Sequence, residues 1–449
     1  MQKIRIGAGA GYAGDRIEPA VELLEKGNLD YIIFECLAER TIAIGQQAKK
    51  QDPTKGYNHL LVERMTKTLP LLKHNNTKLI TNMGSANPQA ALEKTVEIAK
   101  ELNLTGLKFA CVLGDDIFDL LDKYEDEDIL EFDSKLKDIR DSVLSANVYL
   151  GSEGIIEALE NDADVIITGR VSDPALTIAP LVHEFGWTLE DAEKLGQATL
   201  AGHLLECAGQ VTGGYYADPG FKDVENLARL GFPIAEISED GSFVVTKVEG
   251  SGGLVTPDTC KEQLLYEIHN PAKYMTPDVT ADFSQVSFEQ EAKDVVKASG
   301  ATSHGRPDTL KVSLGYLDCY IGEGEISYGG SNAMARAKLA ADIVKERLDI
   351  VGLEKEELRV DYIGYNSLYK DKISSMLAED KSAEVRLRVA ARTKDRKNAS
   401  LVGNEVEALY TNGPAGGAGA SKSVSEVVSI CSIFIPREDI EQEVKYMEV

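Results

Sequence analysis

His203, Glu206, Cys207 and Gln210 stand at i, i+3, i+4 and i+7 in the segment LAGHLLECAGQ. If that segment is one helix, the four share a face turned away from Leu200, Leu204, Leu205 and Ala208. Solvated helix faces usually carry Lys and Glu; a face of His, Glu, Cys and Gln reads as the wall of a site. His203 and Glu206, with His183 nearby, supply groups for proton transfer. Cys207 beside His203 has the makings of a nucleophile, although a helix cysteine turned to the core is the commoner outcome. No G-x-S-x-G elbow occurs, and no Ser-His-Asp set can be picked out.

A second group of reactive side chains sits where apolar strands stop. DVIIT runs into Gly169-Arg170-Val171-Ser172-Asp173-Pro174, with Asp173 placed to cap a helix that Pro174 opens. KIRIGAG runs to Asp15-Arg16, LDYIIFECLAE carries Glu35 and Glu39 towards its end, KLITNM runs to Asn82 and Asn87, and LKFACVL to Asp115-Asp116. Continuous apolar runs of this kind are the mark of parallel strands covered on both faces, and parallel strands deliver their ends to one edge. Each Asp or Asn alone is most often a helix cap, as Asn87 before Pro88 suggests; five strand ends together suggest a site. Arg16 and Arg170 are placed to hold a carboxylate or phosphate, and Asp115-Asp116 to place a water or a metal. Carboxylates at strand ends suit a divalent cation such as Mg²⁺, and His203 with Cys207 a softer one. No His-Glu-x-x-His spacing fixes either, so the metal is open.

The spacing Gly9-x-Gly11-x-x-Gly14 matches a dinucleotide fingerprint, with Glu35 about where a ribose-binding acid would stand. Asp15 and Arg16 close the loop, however, and put a carboxylate where a pyrophosphate would sit on the helix N-terminus. A glycine turn that packs strand on helix explains the spacing equally well, so NAD(P) is not expected. Two further glycine stretches are candidate ligand contacts: Gly252 and Gly253 before a helix starting at Pro257, as an anion cradle, and Gly416 and Gly417 in NGPAGGAGAS.

These elements need a scaffold. With 449 residues the chain exceeds one ordinary core. The expected organisation is α/β: an open, mostly parallel, Rossmann-like sheet over residues 1–278, then a smaller α+β domain with antiparallel strands over 279–449. Within the second part TLKVSLGYLDCYIGEGEISYG reads as a hairpin turning at Gly322-Glu323-Gly324, and AEVRLRVAARTKD as a strand with Arg386 and Arg388 on a face that is wet or contacts a ligand. The formal charge of −26, from 74 acidic and 48 basic residues, disfavours nucleic acid and anionic membranes as partners. Six cysteines without a CxxC pair point away from a disulfide framework, and no apolar run is long enough to cross a membrane. The reading is a cytoplasmic protein, and a homo-oligomer on base rates.

Taken together, GDR (14–16), TN-G--NP (81–88), GDD (114–116), TGRVSD (168–173), LAGHLLECAGQVTGG (200–214), GFPIAE (231–236), EQLLYEI and ALYTNGPAGG resemble the acyclic terpene utilisation AtuA family over nearly the whole chain. The first loop departs from it: the family pattern is close to Ser-Gly-Phe-x-Gly-Asp, where this chain has AGAGYAGD. The resemblance implies breakdown of citronellol- and geraniol-type terpenes through CoA thioesters. It also implies a further small domain in longer members, expected here to be absent or supplied by a separate small protein. On these grounds the chain is expected to be a catabolic enzyme doing hydratase- or lyase-type acid–base chemistry on a branched or unsaturated carboxylic acid or its acyl-CoA. The alternatives are a non-catalytic subunit that binds an acyl-CoA or a carboxylase, and an NAD(P)-dependent oxidoreductase.

Overall fold

The computed structural model describes residues 2–377 and 383–449. The chain forms two compact units, Met1–Gly315 together with Ile430–Val449, and Tyr316–Ser429. In the first unit, short apolar runs bounded by Gly, Asn and Asp become strands β1 (Lys3–Ala10), β2 (Tyr31–Phe34), β3 (Lys78–Thr81), β4 (Lys108–Leu113) and β5 (Val165–Thr168). Further along come β6 (Pro233–Ser238), β7 (Phe243–Lys247), β8 (Ser287–Ala292), β9 (Val295–Ser299) and β10 (Glu443–Glu448). All ten pair in one sheet, in the order β8-β9-β7-β6-β1-β2-β3-β5-β4-β10.

Strands β1, β2, β3, β5 and β4 are parallel, and every residue of β2 and β5 is buried. Their apolar runs thus have the two-sided cover that parallel strands require. The rest of the sheet is antiparallel: β6 to β9 extend it from β1, and β10 lies against β4. The sheet is therefore mixed rather than mostly parallel. The reason is local, since the turn at Gly241, with φ of 87°, folds β7 back on β6 and keeps both in the same layer.

Residues 279–315 and the last stretch of the chain group with the first unit, where the sequence pattern had placed them with the second. Two pairings account for this. Strand β9 lies on β7, and β10 pairs with β4 over Glu443–Glu448.

Four helices of the first unit bear on the strand ends: α1 (Glu39–Gln51), α2 (Pro88–Glu101), α3 (Ala175–Phe185) and α4 (Ala192–Glu206). The Asn87 side chain accepts the Ala90 N–H at 3.3 Å and caps α2, with Pro88 opening it. Asp173 does not cap α3. Pro174 occupies the cap position, and the Asp173 carboxylate is taken by Arg170. Helix α4 ends at Glu206, one residue before Cys207, and Gln210 lies beyond it in a 3₁₀ turn. The four-residue face read from the sequence thus reduces to His203 and Glu206. The leucines opposite do not make α4 amphipathic, because it is buried on all sides from Ala198 to Glu206.

In the second unit the strands order as Glu357–Ile363, Glu384–Thr393, and then the parts of the strands Thr309–Gly329 and Ala418–Pro436 that lie within Tyr316–Ser429. Val385, Leu387 and Val389 join a core with Ala337, Val344, Val402 and Val406 from two helices. On the other face Arg386 pairs with Glu325, and Arg388 with Glu323 and Asp361. The expected hairpin is one continuous strand, Thr309–Gly329. Its glycines make room for a helix instead of a turn: a Cβ on Gly322 would overlap the Ala399 carbonyl, and one on Gly324 would lie 2.6 Å from Val406. Among the described residues no helix is long and apolar enough to cross a membrane.

Candidate active site

The ends of β1, β2 and β5 and the C-terminus of α4 surround a cavity of about 990 Å³, lined wholly by residues of the first unit. Its organising residue is Arg170, which is 1% exposed and immediately follows the β5 turn. The guanidinium donates from Nε to the Val171 carbonyl at 2.9 Å and from Nη1 to the Leu37 carbonyl at 2.5 Å. Its Nη2 serves Val171 at 2.5 Å and the Asp173 carboxylate. The planar fork lies over the Tyr149 ring at 4.5 Å. One side chain therefore ties the β2 and β5 ends together and holds Asp173 in the cavity wall. Burial works against its charge, but Asp173, Tyr149 and Glu35 outweigh that and keep it protonated.

Glu39, at the first position of α1, accepts from Tyr149 Oη at 2.8 Å and Lys311 Nζ at 2.7 Å. Burial alone would raise it; the lysine and the phenol prevail and hold it below the usual carboxylate range. Glu35 is buried at the end of β2. Its Oε1 accepts the Leu37 N–H and Asn82 Nδ2, both at 2.9 Å. Desolvation, and then the Asp173 charge, push Glu35 well above the usual range against the pull of Arg170.

At the end of α4, His203 Nδ1 lies 2.6 Å from Glu206 Oε1, and Nε2 lies 3.2 Å from the Leu264 carbonyl. Its ring packs against Tyr274 and Phe283, with centroids at 5.5 and 6.0 Å, and those two rings also touch each other at 5.5 Å. With an acceptor on each ring nitrogen, Nε2 carries a hydrogen, and a proton is shared between Nδ1 and Oε1. Burial pushes Glu206 up to about 7 although His203 pulls it down. On the imidazole burial acts downward, and Glu206 and the Leu264 carbonyl reverse it, so His203 is held above its ordinary value. Both shifts say the pair keeps its proton more tightly than either group would in water. Glu206 Oε2 is buried and has no hydrogen-bond partner among the described residues, and Glu206 lines the cavity.

A family model, acyclic terpene utilisation family protein AtuA, matches residues 4–446. The chain belongs to the AtuA family. No curated protein and no solved structure matches it.

Of the residues singled out from the AtuA-like sequence, Gly11, Glu35, Glu39, Arg170, Asp173, His203, Glu206 and Cys207 line the cavity. The rest do not. Asp115 sits behind the wall, accepting the Arg170 N–H and Asn147 Nδ2, each at 2.9 Å, and burial pushes it up to about 6. Asp116 accepts from Gln46 at 2.8 Å and Lys49 at 3.4 Å. Asn82 braces the β2 end, receiving the Cys36 N–H at 2.7 Å, and Asn87 is the α2 cap. Asp15 accepts the N–H groups of Gly11 and Arg16, while Arg16 is exposed and reaches the Leu227 carbonyl at 3.3 Å. Gly252 and Gly253 spend their N–H groups on the carbonyls of Arg229 and Glu225, both at 2.9 Å, so no anion cradle forms there. Gly416 and Gly417 belong to the second unit.

Two of the three fingerprint glycines of this family member, Gly9 and Gly11, are packing positions. A Cβ on Gly9 would press on Phe34, and one on Gly11 would lie 2.7 Å from the Cys207 carbonyl oxygen at the end of α4. Among the described residues no group of three or more His, Cys, Asp or Glu is arranged to hold a metal ion. Tyr149, Lys311 and Tyr274 were not legible as site residues. Tyr149 merely follows an apolar strand, and Lys311 reads as the polar half of an alternating one.

Proposed function

We propose that this AtuA-family protein is an enzyme of acyclic terpene utilisation that moves protons on a branched, unsaturated carboxylic acid or its CoA thioester, adding or removing water. The observation that carries this reading is the Glu206 carboxyl: one oxygen held by His203, the other unpartnered at a large cavity, with its affinity for protons raised to the working range of a general base. Glu206 Oε2 is the atom that meets the substrate. His203, with both nitrogens engaged, is a positioning residue that returns charge to the carboxyl. Leu310, Ile430 and Phe434 give the cavity an apolar flank suited to a hydrocarbon chain.

Arg170 is poorly placed to hold the anionic end of the substrate, because four of its five N–H donors are spent on carbonyls and Asp173 and the side chain is buried. Arg40 lines the cavity, is exposed, and enters no ion pair among the described residues. With Lys311 it supplies the positive charge for a carboxylate or thioester oxygen.

The test uses 3-methylcrotonyl-CoA, a small branched and unsaturated thioester, with the purified protein in D₂O. Hydration or deuterium uptake into the acyl chain is expected, with Glu206→Gln slower by about 10²- to 10⁴-fold. Neither binding nor exchange with this thioester and the free 3-methylcrotonate would refute the reading.

A further inference from the structure

We infer that Glu35 is the second proton-transfer group of this cavity, giving a proton to the substrate carbon while Glu206 removes one from water. The inference rests on the proposed function and adds the acid that the reaction needs. Addition of water across a carbon–carbon double bond requires two proton movements. The water oxygen bonds to the β-carbon as its proton passes to Glu206 Oε2. The displaced π-electron pair then takes a proton from Glu35 at the α-carbon, leaving Glu35 as a carboxylate. Exchange with solvent moves the proton from Glu206 back to Glu35, and the catalyst is restored.

The geometry supports this division of labour. Glu35 lines the cavity, and its carboxyl is held at one oxygen only. Leu37 N–H and Asn82 Nδ2 both donate to Oε1, and Oε2 has no partner among the described residues. Asn82 is itself fixed by the Cys36 N–H, so the carboxyl is aimed by two layers of hydrogen bonds. The charged and titratable groups facing Glu35 are Arg170 and Asp173 from the β5 end, Cys207 from the end of α4, and the adjacent Cys36. Arg170 favours the charged form. Its fork is already shared with Asp173, however, and Asp173 and burial favour the neutral acid, which prevails. Asp173 bears on Glu206 as well as on Glu35, so the two carboxyls belong to one electrostatic site. Their environments hold one as a proton donor and leave the other a base near neutrality, the arrangement by which paired carboxyls take different roles.

A purely structural role for Glu35 would survive Glu35→Gln, because the amide oxygen can still accept from Leu37 and Asn82. The experiment therefore compares wild type, Glu35→Gln and Glu206→Gln as full chains with 3-methylcrotonyl-CoA. It reads thermal-shift binding, deuterium uptake at the α-carbon and the pH–rate profile. Glu35→Gln is expected to bind the thioester as wild type does, to lose at least about 100-fold in deuterium uptake, and to lose the alkaline limb of the profile. That limb reports an acid that must be protonated. Glu206→Gln removes the acid limb instead.

An active wild type with an unchanged Glu35→Gln rate and profile overturns the inference and leaves the proposed function standing. An inert, non-binding wild type overturns the proposed function itself. Infrared spectra of protein labelled with [¹³C]glutamate give a check that needs no substrate and no variant activity. A protonated, buried glutamic acid is expected in the wild type at neutral pH, and in Glu206→Gln as well. Its absence from both overturns the inference even if Glu35→Gln fails to fold.

Discussion

Replacing Arg170 by Met tests whether the guanidinium is the strut of the cavity wall. The side chain is buried, and the change removes its bonds to two backbone carbonyls, of Leu37 and Val171, and to the Asp173 carboxylate. A buried acceptor left without a donor costs about 1–3 kcal/mol, and breaking a buried ion pair by removing one partner about 3–5 kcal/mol. These terms overlap, and Asp173 keeps some solvent, with 32% of its side chain exposed. A loss of about 4 kcal/mol is therefore expected. The chain has one tryptophan, Trp187, buried in the first unit, so its fluorescence in a urea titration follows the unfolding of that unit alone. Asp173→Asn should cost only about 1 kcal/mol, and the double variant less than the two single losses combined, because the stranded charge has gone. A cost under about 1 kcal/mol for Arg170→Met, or strict additivity with Asp173→Asn, would refute the strut.

Asp115 gives a pH signature of known sign. Its pKa rises from 3.8 to about 6 on folding, so the folded state binds the proton more tightly and stability falls as pH rises from about 4 to 6. Asp115→Asn should remove up to about 3 kcal/mol of that slope, at 1.36 kcal/mol per pKa unit, when urea midpoints of both proteins are compared across the window; equal slopes would contradict it. Gly11→Ala should destabilise the first unit by about 1–3 kcal/mol through the Cys207 carbonyl, with no change in the thermal response to NAD(P). A midpoint shift by NAD(P) that Gly11→Ala abolishes would restore the dinucleotide reading.

The parallel strands were legible because YIIF and VIIT are apolar runs, VIIT closing on a buried threonine, and such runs need cover on both faces. Glycine was the main source of error, since the same residue serves turns, ligand contacts and close packing. Gly322, Gly324 and Gly252 all turned out to admit a neighbouring backbone or side chain, and spacing in one dimension does not distinguish these uses. Carboxylates at strand ends were found on the expected edge, but edge position does not decide direction. Glu35 and Glu39 turn to the cavity while Asp115 turns behind Arg170, a difference set by partners such as Asn147 and Lys311 that are remote in sequence. The His203–Glu206 pair was legible because one helical turn fixes it locally.

The pairing of β10 with β4 has a consequence for how the chain comes to be folded. Strand β4 emerges early in synthesis, yet the partner for its outer edge is made only after the whole of Tyr316–Ser429. Until then Lys108–Leu113 presents an open row of backbone donors and acceptors, a template for another chain's strand. Translation at about 5–20 residues per second makes that wait long compared with local folding. The nascent first unit is therefore most exposed to mispairing, and to capture by chaperones, before its last strand arrives.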